Sequence, residues 1–175
     1  MFLRGRQPES TVWPRFRAVG DAFAVRRSGT LVETVVRTSA SRAVDLFLAL
    51  IEELPPAVSV TITDVRSDGI WSGESLALPD VVEVMGRLKL PLTTYAGAEI
   101  SVVASDEQVS LTRELGLFCF ARTERWVYLL RGLGLTERAT LTPRSWHLAP
   151  DQFPPVRELT SALSLAADRL KLSPS

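Results

Sequence analysis

The chain has 175 residues, 46% of them hydrophobic and 23% charged, with 20 basic side chains balancing 20 acidic ones. That mixture is too apolar for a disordered chain, and zero net charge excludes a surface built throughout for polyanions. A single cysteine, Cys119, cannot close an internal disulfide, so a disulfide-stapled secreted domain is excluded and a reducing compartment is expected.

Lys89 and Lys171 are the only lysines, an arginine preference that reads as GC-rich, bacterial coding before it reads as function. The opening MFLRGRQPES has no apolar core of signal-peptide length, and no apolar run approaches the ~20 residues of a membrane span, so a cytoplasmic protein without membrane contact is expected. Residues 1–20 mix Gly5, Pro8, Pro14 and Gly20 with Trp13, Phe16 and arginines and show no period; they read as an arm beside one domain over 21–175. Residues 1–27 carry six arginines against Glu9 and Asp21, a local surplus of four that the remainder cancels.

From Ala22 the chain predicts a hairpin, with Gly29 in the turn and a Val- and Thr-rich return to Thr38. Ser39 or Ser41 then caps a helix to Leu54, whose apolar stripe is Val44, Phe47, Leu48 and Ile51 and whose stop is Pro55 and Pro56. Val58, Val60 and Ile62 alternate with Ser59, Thr61 and Thr63, the period of a strand with one buried and one wet face; Ser67, Asp68 and Gly69 turn it back through Trp71. Pro79 and Asp80 open a short helix to Leu88 that Pro91 ends. A third hairpin follows over Glu99–Ala104 and Gln108–Glu114, around Asp106 and Glu107.

The stretch from Glu114 to Leu148 is expected to hold strand, helix and strand. Leu115 to Ala121 is apolar and of strand length; Thr123 caps a helix in which Trp126, Leu129, Leu130 and Leu133 share a face, with Gly132 or Gly134 closing it. Ala139–Thr142 with Ser145–Leu148 reads as a strand broken at Pro143. Pro154 and Pro155 start a last helix with Val156, Leu159, Leu163, Ala166 and Leu170 on one face. These elements predict an α+β fold: a mixed, mainly antiparallel sheet built from hairpins and strand-helix-strand units, with three to four helices packed on it.

Chemistry is sparse. There is no GxxxxGK[ST] phosphate loop, and one cysteine with one histidine cannot supply a thiolate–imidazole metal site. Asp64 and Asp68 read as turn formers, so no metal and no cofactor is assigned. Cys119, between Phe118 and Phe120, lacks the cationic neighbours that make a reactive thiolate. No catalytic residue is assigned. The aromatic-arginine segment Trp13, Arg15, Phe16 and Arg17, with Arg66 and Trp71 at a hairpin tip, is the candidate partner-binding set, because arginine and tryptophan dominate interface energies. The expected function is therefore a non-catalytic protein-binding module of adaptor, regulatory or immunity and defence type, with homo-oligomers open to it. Two alternatives differ in class. One is nucleic-acid contact, with Arg4, Arg6, Arg15, Arg17, Arg26 and Arg27 on phosphates and Trp13 or Phe16 stacking. The other is a small hydrolase or transferase using His147 as base.

Overall fold

The structure is a computed structural model and describes residues 20–141 and 155–175. In chain order the elements are β1 (Ala22–Ser28), β2 (Leu31–Arg37), α1 (Ala40–Ile51), β3 (Ala57–Asp64), β4 (Gly69–Ala77), α2 (Leu78–Arg87) and α3 (Lys89–Tyr95). They continue with β5 (Ala98–Ala104), β6 (Glu107–Leu111), β7 (Leu117–Ala121), α4 (Arg125–Gly132), β8 (Thr136–Glu137), α5 (Arg157–Arg169) and β9 (Ser173–Pro174). All nine strands among the described residues join one sheet in the order β8-β1-β2-β7-β6-β5-β3-β4-β9. Every pairing is antiparallel except β8 on β1, so the sheet is mixed and the α+β class holds.

Alternation in the strands decides where the core sits. Cross-strand partners share a face, and the register lines up Val36, Leu117, Leu111, Ile100 and Ile62 across five strands, all essentially inaccessible. A parallel row joins Thr34, Cys119, Val109, Val102 and Val60. The helices cover this face. α1 contributes Ala43, Val44, Leu46, Phe47, Leu50 and Ile51 to one continuous apolar cluster, and α5 adds Leu159 and Leu163. Taking a side chain the size of Leu50 out of water favours folding by roughly 1.5–3 kcal/mol. Trp126 of α4 is buried in the same cluster, and its Nε1 donates to the Phe120 carbonyl at 2.9 Å, which fixes the helix onto the strand before it.

Five helices appear among the described residues, against the three to four expected. The addition is α3, which carries Pro91 in its first turn; there a missing N–H has no intrahelical acceptor to lose, so the proline is tolerated and does not end the helical segment. β8 forms at Thr136–Glu137, ahead of the expected Ala139–Thr142, because the Arg138 N–H reaches the Phe23 carbonyl and ties this stretch to the edge of β1. The expected strand over Ser145–Leu148 lies outside the described residues. No helix among the described residues is long and apolar enough to cross a membrane.

Candidate functional site

The second face of the sheet carries none of the described helices. Its central row runs Ala24, Val35, Phe118, Ser110, Ser101, Thr61, Ser72, and the next row runs Arg26, Glu33, Phe120, Gln108, Val103, Ser59. The two rows have an uneven composition. On β2 and β7 Val35, Phe118 and Phe120 are large and apolar, with the charged Glu33 beside them: Val35 is 40% exposed, and Phe118 and Phe120 are half-buried. On β6, β5 and β3, apart from Gln108 and Val103, the side chains are small and hydroxylated, and the surface sinks there into a depression of about 370 Å³ lined by Thr61, Thr63, Glu99, Ser101, Gln108 and Phe118, among others.

Several polar groups on this face are bonded to one another. Gln108 Nε2 donates to Ser110 Oγ at 2.8 Å and to Ser101 Oγ at 3.1 Å, and Ser110 Oγ donates to Ser101 Oγ at 3.0 Å. Arg113 Nε donates to Glu99 Oε1 at 2.7 Å, and Arg26 stands directly across from Glu33 in the register. Groups already paired can be covered by another surface without leaving buried donors or acceptors unmatched.

Of the candidate partner-binding residues, Trp13, Arg15, Phe16 and Arg17 lie outside the described residues. Arg66 and Trp71 are placed, at the end of the sheet near β3 and β4. Arg66 is only 4% exposed, and its guanidinium donates to the carbonyls of Tyr95 and, at 3.3 Å, Ala96. Burial, the larger influence, lowers its pKa from the ordinary arginine value, while Asp64 and Tyr95 pull it back up. Asp64, fully buried, accepts from the Arg66 N–H at 3.0 Å, Ser67 Oγ at 2.5 Å and Thr160 Oγ1 at 2.7 Å, so it ties the hairpin tip to α5. This explains Gly97: a Cβ there would stand 2.6 Å from Arg66 Nε, and its φ of +87° disfavours a side chain in any case. Trp71 pairs with Ile62 on the helix-covered face and folds over Gly69, where a Cβ would meet the indole at 2.6 Å. It is the core lid that a half-buried tryptophan beside a turn can form.

The described residues hold no cluster of three or more His, Cys, Asp or Glu able to bind a metal ion. Burial, the larger influence, pushes the Cys119 thiol up to about 12, and the adjacent Thr34 hydroxyl, itself buried without a hydrogen-bond partner of ordinary geometry, pulls the other way. His147 lies outside the described residues. The ion pairs are peripheral: Arg27 with Glu124, Lys89 with Asp45, and Arg125 with Glu107 and Glu53, the Arg125 guanidinium also standing 5.2 Å from the Trp126 ring. The open face could not be located from the sequence, because Phe118 and Phe120 read as part of a wholly buried strand; the available signal was the hydroxyl alternation Ser59, Thr61, Thr63. No protein-family model, no curated protein and no solved structure matches this chain, which leaves the chemistry of the open face as the ground for a functional reading.

Proposed function

We propose that this chain is a non-catalytic protein-binding module of the adaptor, regulatory or immunity kind, and that it docks through the open face of its sheet. The observation that carries the reading is the juxtaposition of Val35, Phe118 and Phe120 with internally bonded polar groups. Apolar side chains next to polar groups whose bonds are already made are what protein interfaces combine. A catalytic reading has less support, since the described thiol is buried and protonated.

A photo-crosslinking residue placed at position 35 should form adducts with another polypeptide in cells, a second copy included. The same residue at Ser161, on the exposed side of α5, should form none. Equal labelling at both positions, or none at position 35, would remove the open face from the proposal. The segment Trp13–Arg17 enters as a further contact: Trp13→Ala and Arg15→Ala should weaken partner binding without lowering Tm. Trp71→Ala and Arg66→Ala, read for affinity and Tm together, decide whether those side chains touch the partner or serve the fold alone.

A further inference from the structure

We infer that the occupant of the open face is a second copy of this chain, with two sheets packed face to face about a two-fold axis parallel to the strands between β7 and β6. This rests on the reading above that the open face is a docking surface. A two-fold interface uses the same patch on both subunits, so the patch must be complementary to itself. Here it is divided in the required way. The apolar ridge of Val35, Phe118 and Phe120 occupies β2 and β7, Phe118 also forming one wall of the depression, whose Thr61, Ser101 and Gln108 lie on the other side of the axis. Rotation brings the ridge of each copy over the depression of the other: Phe118 meets Ser110, Val35 meets Ser101 and Phe120 meets Gln108. Aligned sheet packing, within about 30° of parallel, keeps this correspondence near the axis.

Charge and area agree with it. The same rotation sets Arg37, in line with Glu99 across β7 and β6, against Glu99 of the second copy. Arginines and glutamates alternate over the face, so it does not repel itself as a surface of one sign would. The seven strands from β1 to β4, at ~4.8 Å spacing and roughly 17 Å of strand length, give a footprint of about 500 Å² per copy, so a pair buries on the order of 1,000 Å², the lower bound for a specific interface.

Sedimentation velocity and light scattering on the full chain at about 100 µM should give twice its 19.3 kDa mass, falling to the single mass on dilution. Val35→Arg and Ser101→Arg, at positions outside the core, should each give the monomer with Tm within about 2 °C of the parent. Arg37→Glu and Glu99→Arg should each weaken self-association, and an equimolar mixture of the two should restore it, because the rotation pairs each new charge with its opposite. A dimer that survives both arginine substitutions, or a mixture that stays monomeric, overturns the inference. A monomer whose position 35 crosslinks to a different protein overturns it while the docking reading stands. A monomer that crosslinks to nothing fells both.

Discussion

At Thr34 a hydroxyl sits fully buried beside the Cys119 thiol with no partner of ordinary geometry. An orphaned polar group costs roughly 1–3 kcal/mol, whereas valine has the same shape without it. Thr34→Val should therefore raise stability by about 1 kcal/mol, read from chemical denaturation; a loss of stability would show that the hydroxyl bonds the thiol. Another residue-scale expectation concerns pH. Arg27 grips Glu124 through two hydrogen bonds, 2.7 and 2.9 Å, and this bonding, the largest influence, holds the carboxyl below its ordinary 4.5. A depressed folded-state value contributes stability that is present above the unfolded-state value and disappears as pH falls through the folded one. The contribution is thus intact near neutrality and lost below the usual carboxylate range. In a carbon-detected titration, Arg27→Ala should move the Glu124 midpoint up toward 4.5. Added salt should shrink the difference, since the pair lies at the surface.

The elements show what local sequence can and cannot reveal. α4 was legible from its stripe, yet the cap was misplaced by a residue: Glu124 holds the N-cap position, and Thr123 Oγ1 accepts only a 3.4 Å contact from the Arg125 N–H. The helix is held less by its cap than by burial of Trp126, Val127 and Leu130. Leu130→Ala should cost about 2–5 kcal/mol in an unfolding titration, with a change under about 0.5 kcal/mol contradicting its packing. The Gly-containing turns of the β1–β2 and β3–β4 hairpins and the wet alternation of β3 were readable because two-residue periods and Gly-containing turns are local signals. Arg66 was not readable. Its acceptors, the carbonyls of Tyr95 and Ala96, come from the C-terminal end of α3 some thirty residues along, so a residue that looks like an exposed hairpin tip is drawn inward by a distant backbone.

For the whole molecule, fold class followed from counting elements, but strand order did not. β7 returns to pair with β2, and β5 pairs with β3, leaving each hairpin joined to a strand remote in sequence. Such pairings depend on which faces must be covered together, which no window of residues contains. The consequence for the candidate surface is direct. Val35 and Phe118 are neighbours only because β2 and β7 are, so an interface composed of both cannot be seen before the topology is known.

At the two edges of the sheet the shortest strands, β8 and β9, act as stoppers. Strand β9 covers Trp71 and Ser72 of β4, with the Ser175 N–H closing on the Ile70 carbonyl, and Pro174 presents no N–H of its own. An edge left open is a template on which further chains polymerise. Deleting residues 173–175 should leave Tm little changed, since this stretch is exposed, yet shorten the lag before thioflavin-positive fibres form under agitation. An unchanged lag would mean that the bulged remainder of β4, where Ser75 takes a φ of +55°, already defeats growth from that side.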